Sequence, residues 1–149
     1  MLRRWFRDRK LRALAGRRWF QTVTRAGEGD RQFLIVLRES GRPIGLCGLY
    51  GIPPDGESAE VGILLGERDA WGQGYGPEAL RLLLGFGRAE LGLERVSLFV
   101  HATNLRAIRA YTKVGFTVER RVSAGRWLLR RGAEVLEMSC PLGAGVGVR

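Results

Sequence analysis

The chain contains few residues of the types that bind metals, form disulfides or cross membranes. It has two cysteines and one histidine in 149 residues. Cys47 and Cys140 lack the spacing of a metal site and lie in apolar segments, so we expect two buried free thiols and no metal. No apolar run approaches the roughly eighteen residues of a membrane-spanning helix, and residues 1–5 lack the apolar segment of a signal peptide. These absences predict a cytoplasmic protein without a membrane partner.

Lysine is also scarce. Of the 25 lysine and arginine residues, only Lys10 and Lys113 are lysines, and the formal net charge is +10. A basic surface favours anionic partners such as phosphates and argues against a polycationic substrate. Since the sequence lacks a recognisable RNA-binding motif with interleaved aromatic residues, nucleic acid is not expected to be the primary partner.

The most informative stretch runs from residue 58 to residue 116. An apolar strand over residues 59–65 leads to a glycine-rich turn, W-G-Q-G-Y-G, at residues 71–76, and a helix then opens at Pro77. Proline suits the first helical position because its missing N–H would have no intrahelical partner there. The turn therefore presents free backbone N–H groups at a helix N-terminus, where the helix dipole favours negative charge. This combination predicts a phosphate-binding turn.

Two other glycine-rich phosphate motifs fit this turn poorly. A dinucleotide fold would need G-x-G-x-x-G, whereas the glycines here are Gly72, Gly74 and Gly76, with Ala79 as the nearest stand-in for the next position. A P-loop would need Gly-Lys-Ser/Thr, which is absent. For the turn by itself, a plain tight connection between strand and helix stays the alternative.

A second motif follows along the chain. Residues 95–100 alternate like a strand, Asn104 suits a helix N-cap, and Gly115 suits the position just past the helix C-terminus. Asn104 and Tyr111 are two helical turns apart, so they lie on nearly the same face at a separation of about 10 Å.

The turn, together with N-x-x-A-I-x-x-Y-x-x-x-G-F at residues 104–116, resembles the GNAT superfamily of acetyl-CoA-dependent N-acetyltransferases. The W-G-Q-G-Y-G-x-E-A variant is most similar to the branch of ribosomal-protein N-terminal and spermidine acetyltransferases. The resemblance covers residues 33–139 and implies an α/β fold with a mixed, mostly antiparallel central sheet and crossover helices. We expect one acetyltransferase domain over residues 1–142 and a flexible glycine-rich tail over residues 143–149.

The remaining segments extend this sheet. We expect an amphipathic helix over residues 2–14, an antiparallel hairpin of strands 33–37 and 43–50, and two closing strands over residues 116–122 and 134–139. GNAT proteins usually begin with a strand and two helices that shape the acceptor side. Here the N-terminal strand is expected to be absent or vestigial and the second helix shortened to a loop. The acceptor side is therefore the part that departs from the family.

The resemblance also implies the residues of a site for acetyl-CoA. The turn would hold the pyrophosphate through backbone N–H groups, and the preceding strand would bind the pantetheine arm through its main chain. Asn104 would contact the same arm, although a plain helix cap explains it equally well. Tyr111 would protonate the departing thiolate, because a phenol is protonated at neutral pH; a packing tyrosine is the alternative. The predicted cofactor-binding residues are Ile63, Leu64, Leu65, Trp71, Gly72, Gln73, Gly74, Tyr75, Gly76, Asn104 and Tyr111.

The general base is the least determined residue. Glu60 aligns with the catalytic glutamate of the histone-acetyltransferase branch and is the predicted base beside the acid Tyr111. Some bacterial N-terminal acetyltransferases carry the carboxylate on the next strand, where this chain has Phe99. His101, at the end of that strand, could accept a proton directly or through water, or be a plain surface histidine.

An acceptor that needs little help from a base fits this pattern. A protein α-amine has a pKa of about 7.7–8.0 and deprotonates far more easily than a lysine near 10.4. The hypothesis is therefore an N-acetyltransferase acting on a primary amine, with a protein N-terminus as the favoured acceptor. A polyamine or small-amine acetyltransferase and a non-catalytic acyl-CoA-binding relative stay open, and so does a homodimer.

Overall fold

The structure is a computed structural model that describes Arg4, Arg7 and residues 27–54, 56–123 and 134–143. Six strands form one sheet in the order β1-β2-β3-β4-β6-β5. All neighbouring strands are antiparallel except β3 and β4, which are parallel. In chain order the elements are β1 (Arg31–Val36), β2 (Pro43–Tyr50), β3 (Ser58–Leu65), a 3-10 turn (Arg68–Ala70), α1 (Tyr75–Leu91), β4 (Arg95–His101), α2 (Leu105–Val114), β5 (Thr117–Ser123) and β6 (Glu134–Pro141).

This arrangement confirms the predicted mixed, mostly antiparallel sheet with crossover helices. The hairpin of β1 and β2 is antiparallel as expected, with Phe33 opposite Cys47. Among the described residues β1 is the first strand, and it forms one edge of the sheet. Most of the helix predicted over residues 2–14 lies outside the described residues; Arg4 and Arg7 are helical. Of the predicted tail, only residue 143 is described.

The helices pack on one face of the sheet. Alternate residues of the central strands point towards α1 and α2 and form the core, in which both cysteines are buried as free thiols. The buried core residues are Cys47, Leu49, Ala59, Val61, Leu80, Leu83, Leu84, Leu93, Val96, Leu98, Val100, Phe116, Leu136, Met138, Cys140 and Leu142. The intervening residues, such as Glu60, Ser97 and Phe99, belong to the opposite face because side chains alternate along a strand.

Helix α1 begins earlier than the sequence predicts. Its first residue is Tyr75 and its N-cap is Gly74, so Pro77 is the third helical residue and the prediction that it would be the first is wrong. Proline is tolerated there because N–H groups in the first helical turn lack intrahelical acceptors. Within the part of the chain that the structure describes, none of the helices is long and apolar enough to cross a membrane.

Candidate functional site

The glycine-rich turn leads directly into the N-terminus of α1. Gly72 and Gly74 have φ angles of +74° and +84°, in the left-handed region that side chains disfavour. A Cβ at either position would meet no atom within 4 Å. Both glycines are therefore needed for their backbone conformation, and the space beside them is open to a ligand.

Free backbone donors lie at this helix end. No side chain caps α1 at Gly74, so the N–H groups of Tyr75 and Gly76 have no intrahelical acceptor. Pro77 has no N–H, and the N–H of Glu78 already donates to the carbonyl of Gly74 at 3.2 Å. The two donors and the positive end of the helix dipole together suit an anion.

Three side chains hold the turn in place. The amide of Gln73 donates to the carbonyl oxygen of Asp69 at 2.6 Å, and the indole N–H of Trp71 donates to the carbonyl oxygen of Leu65 at 2.9 Å. The guanidinium of Arg42, from the β1–β2 turn, donates two hydrogen bonds of 2.8 and 3.0 Å to the Asp69 carboxylate. This hydrogen bonding lowers the pKa of Asp69. The turn is thus anchored to β3 and to the preceding loop.

Strands β3 and β4 separate beside this turn. Their ladder contains only three residue pairs and ends at Glu60 and Ser97, although β3 continues to Leu65 and β4 to His101. The two strands therefore leave a gap that opens towards the turn.

Main-chain groups of β3 face this gap. The N–H of Gly66 donates to the carbonyl of Ile44 on β2 at 2.8 Å. Because backbone groups alternate in direction along a strand, Ile63 and Leu65 direct theirs towards β4, whereas Leu64 directs its own towards β2. Of the three predicted strand residues, Ile63 and Leu65 are thus the two whose main chain faces the gap. The carbonyl of Leu65 is already taken by Trp71.

Tyr111 lies on α2, on the helical side of the sheet. It is partly buried against the core, and its ring centroid is 5.8 Å from that of Phe116. Burial raises the pKa of Tyr111 to about 12, and the positive charge of Arg106 opposes that rise. The phenol is therefore protonated throughout the physiological range, as a proton donor must be.

Asn104 caps α2. Its side-chain oxygen accepts from the N–H of Ala107 at 3.3 Å, which confirms the predicted N-cap. The capping bond uses the oxygen, so the side-chain NH₂ group can still donate. A contact from that group to a ligand stays a prediction.

Glu60 lies on the opposite face from Tyr111. Its neighbours Ala59 and Val61 point into the helical core, so the Glu60 side chain points the other way. In register it lies beside Tyr50 on β2 and Ser97 on β4, at the last pair before the strands separate. The predicted acid and the predicted base therefore lie on opposite faces of the sheet.

His101 and Phe99 lie further along β4 than the last pair with β3. They alternate with the core residues Leu98 and Val100, so they belong to the same face as Glu60. His101 pairs in register with Val135 on β6. The structure therefore leaves His101 on the same face as Glu60, beyond the point where β3 and β4 separate.

Arg106 is a residue that the motif-based reasoning missed. Its guanidinium carbon lies 3.7 Å from the ring centroid of Trp71, so it joins α2 to the glycine-rich turn. The sequence did contain a signal. Arg106 lies in the first turn of α2, where the helix dipole disfavours a cation, and no acidic residue accompanies it there.

Comparison with a family model decides the classification. Residues 1–117 match the acetyltransferase (GNAT) domain. The chain belongs to the GNAT acetyltransferase family. An uncharacterized N-acetyltransferase, p20, from Bacillus licheniformis is 33% identical over 93 residues, which are 62% of this chain and 51% of that protein. An N-acetyltransferase 9-like protein from Nematostella vectensis is 31% identical over 68 residues, 46% of this chain and 34% of that protein. This GNAT chain thus spans about half the length of the first relative and less of the second.

Solved structures show the same fold. A spermidine N-acetyltransferase from Vibrio cholerae, in complex with CoA and spermine, superposes with a TM-score of 0.70 at 22% identity, covering 83% of this chain and 71% of that one. A spermidine/spermine N-acetyltransferase from the same organism, in complex with manganese ions, gives 0.68 at 22% identity and the same coverage. In the present GNAT chain, no group of three or more His, Cys, Asp or Glu side chains suited to a metal occurs among the described residues.

Proposed function

We propose that this protein moves an acetyl group from acetyl-CoA to a primary amine by direct attack in a ternary complex. The observation that carries the proposal is the gap between β3 and β4. It opens beside an uncapped helix N-terminus, with Glu60 in the last residue pair before it and Tyr111 on the helical side of the sheet. Membership of the GNAT family supports the same activity.

The residues present fit acetyl-CoA. Its phosphates match the free N–H groups of Tyr75 and Gly76, and Trp71, Gly72, Gln73 and Gly74 give the turn its shape. The amides of its pantetheine arm match the main-chain groups of Ile63 that face the gap, in the manner of an added strand. The NH₂ group of Asn104 is a further donor for that arm, and Leu64 and Leu65 support it from within β3.

The chemistry needs two proton transfers. When bound, acetyl-CoA supplies the acetyl thioester; the amine nitrogen bonds to the acetyl carbon, and the carbon–sulfur bond breaks. In the proposal, Tyr111 donates its hydroxyl proton to the departing sulfur. Glu60, from the other face, accepts the proton that the attacking amine loses, with His101 as the alternative acceptor. Tyr111 then regains a proton from solvent and the proton acceptor releases one to solvent, so charge and protons balance.

A protein N-terminal α-amine is the proposed acceptor. Its low pKa makes the neutral amine available with little help from a base. The carboxylates of β5 and β6 also suit a polycation poorly, because each is already paired with an arginine. The pairs are Arg95–Glu119, Arg120–Glu137 and Arg121–Glu134. Together with the formal net charge of +10, this favours a singly charged acceptor.

A polyamine is the second candidate, because a structural neighbour was solved with CoA and spermine. The test is a panel of peptides with free N-termini, their N-blocked lysine counterparts, and spermidine and spermine, read by product mass and thiol release. We expect a mass shift only with free N-termini. Acetylation of the polyamines alone would overturn the acceptor but keep the reaction class.

Binding of CoA must be measured in parallel. Calorimetry should detect CoA well below millimolar concentration, and its absence there would contradict the proposed function. Tight binding without turnover on any amine would instead support a non-catalytic CoA-binding protein.

A further inference from the structure

Arg106 is a cation with no anionic partner inside the described part of the chain. Its only charged or ring neighbours there are the face of Trp71, at 3.7 Å from the ring centroid, and the Tyr111 phenol. Five other arginines in the same part of the chain form ion pairs with carboxylates. Those arginines are Arg4, Arg42, Arg95, Arg120 and Arg121.

The position of Arg106 is unfavourable for a cation without a ligand. It is the second residue of α2, at the positive end of the helix dipole, and that turn has no acidic residue. Partial burial also lowers the pKa of Arg106. The contact with Trp71 offsets these costs only in part. An anion bound beside Arg106 would make this position favourable for a cation.

Trp71 places this cation beside the glycine-rich turn. The indole is itself fixed by its hydrogen bond to the Leu65 carbonyl at 2.9 Å, and it directly precedes Gly72. The free N–H groups of Tyr75 and Gly76 lie at the other end of the same short turn. A planar guanidinium stacked on the indole still directs its N–H groups outward and can bind a phosphate with two of them.

We propose that Arg106 binds the diphosphate of CoA, so that α2 supplies the cation and the turn before α1 supplies the backbone donors. Arg106 is in this proposal a substrate-binding residue that adds a positive charge to the phosphate site. The inference rests on the proposed function, since it assumes that CoA is the ligand of the turn.

Calorimetry with three ligands tests the proposal. CoA has the diphosphate and a 3′-phosphate, dephospho-CoA keeps only the diphosphate, and pantetheine has neither. Arg106→Gln should weaken CoA and dephospho-CoA by the same factor, about 10- to 100-fold, as for loss of a charged hydrogen-bond pair. Pantetheine binding should not change. Arg109→Gln, on the same helix, is the matched control and should leave all three affinities within about twofold.

Each other outcome overturns the inference. Unchanged CoA affinity in Arg106→Gln would remove Arg106 from the site, and a loss confined to CoA would assign it to the 3′-phosphate. An equal loss for all three ligands would make Arg106 a structural support of Trp71. Arg106→Lys guards against misfolding: it keeps the charge and should retain part of the diphosphate affinity. If the wild-type protein binds no CoA, the proposed function itself fails. If the wild type binds CoA and Arg106→Gln binds it equally well, only the role of Arg106 fails.

Discussion

The sharpest test of the proposed chemistry is Tyr111→Phe. The substitution keeps the ring, which packs 5.8 Å from Phe116 by centroid distance, and removes only the hydroxyl. If the phenol protonates the departing sulfur, kcat should fall while the affinity for acetyl-CoA changes little. Positioned proton transfer contributes about 10²- to 10⁴-fold to a rate.

The structure favours the lower end of that range. With a pKa of about 12 in the ligand-free protein, Tyr111 is a weaker acid than a thiol, whose pKa is about 8.5. Full proton transfer would therefore be uphill by roughly 5 kcal/mol if the thiolate were free, and the gain comes chiefly from a hydrogen bond to developing negative charge. Such a bond contributes about 1.5–3 kcal/mol. We expect a fall in kcat of about 100-fold.

The pH profile gives an independent measurement on the wild type. Tyr111 must be protonated to donate, and its raised pKa keeps it so up to about 12. The kcat of the wild type should therefore show no alkaline fall up to pH 10.5, whereas a phenol of ordinary pKa near 10 would already be half ionised at pH 10. The melting temperature is the control. Unchanged turnover in Tyr111→Phe would refute the role, and a large drop in Tm with a matching loss of CoA binding would make the tyrosine structural.

Three further substitutions test separate features. Gly74→Val should abolish most of the affinity for CoA. It should lower the stability by only about 1–2 kcal/mol, the cost of a left-handed residue, because φ is +84° there. Gly29→Ala, at a turn glycine without a left-handed φ, is the control for calorimetry, and normal CoA binding by Gly74→Val would show that the phosphate site lies elsewhere. Gly48→Ala should lower the free energy of unfolding by about 1–3 kcal/mol or more. The added Cβ would lie 2.5 Å from the Tyr50 hydroxyl and 2.6 Å from the Arg31 carbonyl oxygen. A denaturation midpoint equal to that of the wild type would show that β1 can shift to make room. Burial raises the pKa of Tyr50 to about 12, so its neutral form stabilises the fold below pH 10 and that stability declines as pH rises from 10 to 12. Tyr50→Phe should therefore unfold with a shallower pH dependence in that window, and denaturation curves with the wild-type slope would contradict this.

Local patterns in the sequence predicted the secondary structure well. Asn104 and Gly115 bound α2 as expected, because capping depends on residues within one helical turn. The start of α1 was misplaced by two residues since proline is compatible with several first-turn positions. The left-handed φ of Gly74, which sets the N-cap, can be adopted by any glycine, so the sequence alone does not say which one takes it.

The features that depend on distant residues could not be predicted in this way. The ladder between β3 and β4 ends at Glu60 and Ser97, and nothing in either strand marks that point, because both continue with ordinary alternation. The stacking of Arg106 on Trp71 joins two motifs that the sequence presents separately. The placement of Tyr111 and Glu60 on opposite faces follows only once the register is known. The family resemblance suggested the proposed roles of Tyr111 and Glu60, and the fold showed that they lie on opposite faces of the sheet.

The short parallel ladder between β3 and β4 divides the sheet into two halves that are weakly joined. One half contains β1, β2 and β3, and the other contains β4, β6 and β5. Along the seam the halves share three residue pairs, and elsewhere they are joined by the helical core. A ligand bound in the gap would contact both halves and hold them together. Amide hydrogens of Ile63 and Leu65 should then exchange quickly in the free protein and slowly in the complex, which makes stiffness across the sheet a property that the ligand brings.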